Sequence, residues 1–274
     1  PRYVGRVIED IDVTQPTPLW MVERLRRSGI RSVDAIVDIT NYVMVELGQP
    51  MHAFDRDILV GGINVRMSSA DEQLVLLDGK TVSLTDDVLV IADQEKVLAL
   101  AGIMGGEHSG ISQQTTAVFL ESAFFDPIII AGKARRFGLH TEASARFERG
   151  VDWQLAATAC ERATSLIVEI CGGKPGPVVI NEDTLALPEL FSIELTRERI
   201  QQQLQITLPD GRISGILTQL GFEVEVTHKG FHCVTPSWRF DVTIEQDLIE
   251  EIARIYGYNN LPTSLPAQAL SMVK

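Results

Sequence analysis

The sequence predicts an α+β protein in which a domain of mixed β-sheet and helix precedes a small α/β domain. Short runs of β-forming residues fill the stretch from Ile63 to Leu120, and segments with helical periodicity flank it on both sides. A boundary rich in Pro and Gly begins at Lys174. We therefore expect a first domain, a linker and a second domain over residues 1–175, 176–187 and 188–262.

Two helices are expected near the start of the chain. Thr17 suits an N-cap because Pro18 follows it at the first helical position, and Gly29 ends the helix. A second stretch with helical periodicity covers residues 33–47 and closes at Gly48. Helices are therefore the first elements that the pattern predicts.

Short strands come next, separated by turn signals such as Asp78-Gly79. The predicted strands cover residues 63–67, 74–77, 88–91, 97–100 and 117–120. Asp126 with Pro127 then indicates a new helix, and Asp152 is placed to cap a long one that ends at Gly172.

The second domain is predicted to alternate strands and helices. The expected elements are a strand at 191–195, a helix capped by Thr196, a helix at 212–220, a hairpin of 223–228 with 231–235, and a helix at 244–256.

The composition excludes several classes of function. The chain has 274 residues and a formal net charge of −13, which argues against a surface that binds nucleic acid or anionic lipid broadly. Residues 133–149, with five bases and two acids, are a local exception. No apolar run approaches the roughly 20 residues that span a bilayer, so we expect no membrane association.

The three cysteines lack CxxC spacing, which indicates neither a disulfide framework nor a cysteine zinc site. Reduced thiols in a cytoplasmic protein are the expected alternative. The chain begins at Pro1. We therefore expect it to be a piece of a longer polypeptide.

Three stretches are far more specific than the composition: DITNYVMVELGQPMHAFD at 38–55, FGLHTEASARFERGVD at 137–152, and PSWRFD at 236–241 with DLIEEIARIYGY at 247–258. Together they resemble the β subunit of bacterial phenylalanyl-tRNA synthetases, over essentially the whole chain. The resemblance implies a tRNA-editing domain over residues 1–175. It implies a small domain with a DNA-binding-type fold over 188–262.

The resemblance also implies a function, which is hydrolysis of tyrosine mischarged on the tRNA for phenylalanine. Tyrosine and phenylalanine differ by one hydroxyl, and a second site that hydrogen-bonds this group selects tyrosine strongly. The family works as an α₂β₂ enzyme that uses ATP to attach phenylalanine to tRNA. Its synthetic site lies on the α subunit, so we expect no aminoacylation and no bound ATP in this chain alone, and no DNA partner.

Candidate site residues follow from the same resemblance. Glu121 matches the carboxylate that binds the phenol. The residues that match polar groups holding the water and the ester, and thus the catalytic candidates, are His52, Thr40 and Asn41. The residues that match the small wall of the pocket are Ala101, Gly102, Gly105 and Ala143.

Other interpretations of these residues stay open. Taken alone, His52 is typical of a structural histidine and Glu121 of a surface carboxylate on an edge strand; the surrounding motifs favour the site. A non-catalytic scaffold that docks tRNA in the same assembly is the alternative function. Binding of free tyrosine at Glu121 distinguishes the two.

The last predicted helix is acidic, with five acids and no base from residue 241 to 251. Asp247, Glu250, Glu251 and Arg254 share one helix face, and we expect Ile244, Leu248, Ile252 and Ile255 to form the buried stripe opposite.

A solvated face is one interpretation of these acids, and Mg²⁺ binding is another. The resemblance implies a Mg²⁺ site, shared with the α subunit, at Asp241, Asp247, Glu250 and Glu251. An independent magnesium hydrolase centred on Asp247 and Glu251 is a weaker alternative.

Overall fold

The computed structural model describes residues 1–263, in which the chain divides after Leu187 into two units. The observed mixture of sheets and helices confirms the predicted α+β class. No helix within the described residues has the length and apolar character needed to cross a membrane.

The first unit contains most of the strands. They are β1 (Arg2–Glu9), β2 (Met51–Asp55), β3 (Asn64–Met67), β4 (Gln73–Val75), β5 (Thr81–Ser83), β6 (Leu89–Ala92), β7 (Val97–Leu100), β8 (Met104–Gly105), β9 (Val118–Phe124), β10 (Lys174–Pro175) and β11 (Val179–Glu182). The helices of this unit are α1 (Leu19–Arg27), α2 (Ala35–Leu47), α3 (Pro127–Ile130), α4 (Lys133–Arg136), α5 (Glu142–Phe147) and α6 (Ala156–Cys171).

The main sheet is antiparallel, with the order β10-β1-β9-β2 and with β11 paired to β1. Because side chains alternate along a strand, its two faces bury different cores. On one face Ile8 and Leu120 pack with residues of α1, α2 and α6. On the other face Phe54 joins a core made largely by a second sheet, β3-β6-β7-β8, and the β4-β5 hairpin.

Several local predictions for this unit are confirmed, because the signals that carry them are local. Gly48 ends α2 in the left-handed conformation, with φ +79°. Asp126 caps α3 by accepting a hydrogen bond from the amide of Ile128.

Other predictions for the first unit are wrong. The chain begins with β1, not with a helix, and β2 was not predicted. The N-cap of α1 is Pro18, not Thr17. The hydroxyl of Thr17 instead donates a hydrogen bond to the buried carboxylate of Asp38. The long helix α6 begins at Ala156, and Asp152 lies before it.

The predicted linker 176–187 also differs. Four of its residues form β11, which pairs with Arg2 to Gly5 of β1, and Leu187 packs against the core beneath the second sheet. This segment is therefore part of the first unit.

The second unit has one antiparallel sheet of order β12-β14-β13, formed by β12 (Ser192–Thr196), β13 (Glu223–Val226) and β14 (Gly230–Val234). Its helices are α7 (Arg197–Leu204), α8 (Asp210–Gln219) and α9 (Glu245–Tyr256). Thr196 caps α7 through the amide of Arg199, as predicted. The likeness of this unit to DNA-binding folds stays a prediction.

The buried stripe of α9 differs from the predicted one. Ile244 is 53% exposed and Ile255 is 39% exposed, while Ile249, Ala253 and Glu251 are buried. The buried stripe of α9 therefore lies closer to the acidic face than predicted, and the carboxylate of Glu251 reaches the edge of the core.

Candidate functional site

A cavity of about 380 Å³ lies in the first unit, where β2 and β9 of the main sheet face the turn that joins β7 to β8. This volume includes open solvent at the mouth of the cavity. Its titratable lining residues are His52 and Glu121, and the other lining side chains are apolar or small. Such a lining suits an apolar ring that carries one polar group.

The structure brings most of the predicted site residues together. The predicted residues that line this cavity are His52, Gly102, Gly105, Glu121 and Ala143. Ala101 is fully buried beside Gly102 but is not a lining residue.

Thr40 and Asn41 are not brought to this cavity. They lie on α2, where the hydroxyl of Thr40 donates 2.9 Å to the backbone oxygen of Val37 within its own helix. Their predicted roles at the ester therefore have no support from the observed contacts, and they stay predictions.

Glu121 occupies the middle of β9, beyond the end of the strand predicted at 117–120, and is only 6% exposed. Its register partners are Gly5 of β1 and His52 of β2. The phenol of Tyr3 donates a hydrogen bond of 3.1 Å to Glu121 Oε2. Burial raises the pKa of Glu121 to about 8, and the hydrogen bond from Tyr3 opposes that rise.

His52 projects from the neighbouring strand on the same face. Its imidazole packs edge-on against Phe54, with ring centroids 4.5 Å apart. Its Nε2 atom is buried and has no hydrogen-bond partner within residues 1–263. Because burial lowers the pKa of His52 to about 4, the imidazole is neutral at physiological pH.

Two glycines make room at the wall of the cavity. A Cβ atom on Gly105 would lie 2.6 Å from Cε1 of His52, so only glycine leaves the imidazole in place. Gly102 has φ +68°, and a Cβ atom there would lie 2.9 Å from the ring of Phe147. The predicted need for small residues has this steric basis.

Ala143 is placed by the short helix α5. Thr141 caps this helix in a reciprocal capping box with Ser144, and its hydroxyl also donates 2.9 Å to the backbone oxygen of Ile103. This second bond ties α5 to the turn that forms the opposite wall. Thr141 was not among the predicted site residues, although its spacing from Ser144 matches a capping box.

The basic stretch 133–149 is less positive at its surface than its composition suggests. Lys133 and Arg136 both form ion pairs with Asp87, and Arg146 pairs with Glu142. The net positive charge that this stretch presents at the surface is reduced accordingly.

The acidic residues of the second unit do not form a ligand set for Mg²⁺ in the observed arrangement. Arg239 binds Asp241 with two hydrogen bonds of 2.8 Å and Glu251 with one of 3.0 Å, and Arg254 also binds Glu251. Within residues 1–263, no group of three or more His, Cys, Asp or Glu side chains is placed to hold a metal ion.

The remaining acids are also accounted for. Asp247 accepts hydrogen bonds from the amides of Thr243 and Ile244 at the start of α9, and Glu250 is exposed. Burial acts to raise the pKa of Glu251, but the hydrogen bonds from Arg254 and Arg239 outweigh it and lower the pKa. Asp241, Asp247 and Glu251 are thus bound by arginines or amides. A magnesium site shared with a second subunit stays a prediction.

Comparisons with known proteins match both units of the chain. The B3/4 domain family matches residues 1–172, and the tRNA synthetase B5 domain family matches residues 193–258. A solved N-terminal fragment of the phenylalanyl-tRNA synthetase beta subunit from Pyrococcus horikoshii covers 93% of this chain and 71% of its own, with 16% identity and a TM-score of 0.44.

Curated relatives match more closely in sequence. Phenylalanine–tRNA ligase beta subunits from Pseudomonas fluorescens and Vibrio cholerae are 56% and 54% identical over 272 residues, or 99% of this chain. The chain spans 34% of the length of each of these relatives. With its B3/4 domain followed by a B5 domain, the chain belongs to the phenylalanine–tRNA ligase beta-subunit family.

Proposed function

We propose that the first unit hydrolyses tyrosine that has been esterified to the tRNA for phenylalanine. The observation that carries this proposal is the apolar cavity with one buried carboxyl group, Glu121, beside a neutral imidazole, His52. The relatives are named as phenylalanine–tRNA ligase beta subunits, which makes an aminoacyl ester the substrate class to test.

Glu121 would read the hydroxyl of the tyrosine ring. A carboxyl group with a pKa of about 8 is largely protonated at neutral pH, so it can both donate to and accept from a phenol. A phenylalanine ring would remove water from the cavity without supplying that partner. Leaving a buried polar group unpaired costs about 1–3 kcal/mol, which favours tyrosine in this cavity.

His52 would hold the attacking water. An imidazole whose pKa is about 4 accepts a hydrogen bond at neutral pH but is a weak base, because burial disfavours its charged form. Its role is therefore to orient the water toward the activated ester rather than to carry a full positive charge. Thr40 and Asn41 are proposed to contact the ester once the tRNA end has bound.

The wider function is also a proposal, since the chain spans only 34% of its curated relatives. We propose that it is part of a cytoplasmic, ATP-using enzyme that attaches phenylalanine to tRNA together with an α subunit in an α₂β₂ assembly. Mg²⁺ would bind at the B5 domain only with that partner present. The chain by itself is expected to edit and not to aminoacylate.

A deacylation assay on tyrosyl and phenylalanyl esters of the same tRNA tests the proposal. We expect the tyrosyl ester to be hydrolysed and the phenylalanyl ester to be spared, and we expect Glu121→Ala to lose this selectivity. Glu169→Ala, on the exposed side of α6, is the matched control and should behave as the unaltered chain. Equal rates on both esters would contradict the proposed selectivity. Binding of tRNA without any hydrolysis or tyrosine binding would instead favour the scaffold function.

A further inference from the structure

Tyr3 was not among the predicted site residues, yet it contacts Glu121, the proposed specificity residue. Tyr3 lies on β1 opposite Ala123, and Gly5, two residues on, lies opposite Glu121. Its side chain therefore reaches Glu121 diagonally across one face of the sheet, and its phenol donates to Oε2. Tyr3 does not line the cavity, so it contacts the carboxyl group of Glu121 from the side that faces away from the cavity.

The ring of Tyr3 is held in this position by its neighbours. It stacks on Phe119, with the two ring planes 16° apart. Phe119 in turn occupies the space above Gly5, where a Cβ atom would lie 2.5 Å from its ring. Gly5 therefore allows the stack, and the stack directs the hydroxyl of Tyr3 toward Glu121.

The bond from Tyr3 is the only side-chain hydrogen bond that Glu121 makes within residues 1–263. The terminal torsion of a glutamate side chain is broad, so an unpartnered carboxyl group samples many orientations. A fixed donor on Oε2 reduces that freedom and leaves Oε1 to meet a ligand.

We propose that Tyr3 is a positioning residue that holds Glu121 Oε2 and so presents Oε1 to the hydroxyl of a tyrosyl ester. This inference rests on the proposed function and deepens it, since it assigns selectivity to a pair of residues. The groups that titrate near Glu121 are Tyr3 on β1 and His52 on β2. Both are neutral at physiological pH, since burial raises the pKa of Tyr3 and lowers that of His52.

Tyr3→Phe tests the proposal because it removes the hydroxyl and keeps the stacked ring. We expect the preference for the tyrosyl over the phenylalanyl ester to fall about 10-fold, the size of effect of one hydrogen bond. The pKa that governs binding of free tyrosine should also move upward, since the bond from Tyr3 acts to lower the pKa of Glu121. A purely structural role for Tyr3 would not move that pKa.

Two controls keep the result specific. Tyr42→Phe also removes a bonded hydroxyl, one that contacts Arg24 and Glu46 in the other core, and it should leave selectivity unchanged. In a double-mutant cycle, Tyr3→Phe should add little to Glu121→Ala, because the alanine has already removed the carboxyl group that Tyr3 holds. Additive effects would overturn the proposal.

The outcomes separate this inference from the proposed function. If the unaltered chain does not prefer the tyrosyl ester, the proposed function fails. If it does and Tyr3→Phe is equally selective, only the role of Tyr3 fails. Should Tyr3→Phe not fold, a tyrosine-bound crystal structure of the unaltered chain decides: ligand and Tyr3 on different oxygens of Glu121 support the inference, and a ligand that displaces Tyr3 overturns it.

Discussion

His52 and Glu121 are register partners across the β2–β9 ladder, so their side chains leave the same face of the sheet side by side. One is a neutral base and the other a carboxyl group that burial keeps largely protonated. The ladder thus sets the separation between the group that we propose for the ester and the group that we propose for the ring. Substitutions around this pair give the sharpest tests.

Gly105→Ala should reduce hydrolysis of the tyrosyl ester about 100-fold, because the new Cβ would displace the imidazole of His52 and a misplacement of about 1 Å can cost that much. The overpacking should cost about 1–3 kcal/mol in the free energy of unfolding. Gly62→Ala is the matched control, since a Cβ there has no heavy atom within 4 Å. Single-turnover deacylation and urea unfolding measure the two effects; unchanged hydrolysis in Gly105→Ala would contradict the placement of His52.

Ala143→Trp should abolish binding of free tyrosine, because Ala143 lines the cavity and an indole would fill it. Ala145→Trp, on the same short helix but not among the lining residues, should bind tyrosine normally. Isothermal titration calorimetry measures both variants. Tyrosine binding that survives in Ala143→Trp would place the amino-acid site elsewhere.

The stability of the chain should depend on pH through Glu121. Its pKa is about 8 in the folded state against 4.5 ordinarily, so the folded protein holds a proton that the unfolded chain has released. Stability from this group is therefore present below pH 4.5 and is lost as the pH rises toward about 8, by up to ~1.4 kcal/mol per pH unit.

Glu121→Gln does not titrate and should gain stability relative to the unaltered chain over the same pH range. His52 titrates in both proteins, and each loses stability as the pH falls from 6.5 to about 4. This loss is the same in both proteins, so it cancels when their free energies of unfolding are compared. Urea unfolding at several pH values tests this. A difference between the two proteins that does not vary with pH would show that Glu121 ionises normally.

Mg²⁺ added to this chain should give no saturable heat in calorimetry, and a chelator should leave deacylation unchanged. The physical reason is that Arg239 and Arg254 already neutralise Asp241 and Glu251. Saturable binding that disappears in Asp247→Asn would contradict this expectation.

Removing Arg239 should destabilise the second unit, because Glu251 is nearly buried and would lose one of its two arginine partners. We expect Arg239→Leu to cost about 3 kcal/mol in the free energy of unfolding, as for other broken buried ion pairs. Arg212→Leu, an exposed arginine on α8, is the control. A change under ~1 kcal/mol would show that the ion pairs are screened as on an open surface.

Local signals predicted much of the fold. The caps at Asp126 and Thr196 and the stop at Gly48 involve neighbours in sequence, and each is present. Strand β1 was missed because its residues include Arg2, Arg6 and Gly5, which obscure the alternation of a strand. Its assignment depends on pairing with β9, more than 100 residues away.

The same contrast between local signals and long-range contacts holds for the residues of the candidate site. The motifs and the resemblance they carry predicted Glu121, His52 and a wall of small residues, and the structure brings all of these except Ala101 to one cavity. Tyr3 could not be found in this way, because its role depends on the register between two distant strands. The ion pairs of Arg239 were also missed, since helical spacing alone describes the face of α9 and not the segment that folds back onto it.

The pairing of β11 with β1 bears on how the protein can be divided. Val179 to Glu182 cover the free amides and carbonyls of β1 on the side away from β9. A polypeptide that stopped at residue 175 would expose that edge and offer a template for another strand, the usual route to aggregation. The strand that carries Tyr3 would also lose its outer partner, so a shortened chain that keeps the first unit intact needs its C-terminus after Leu187.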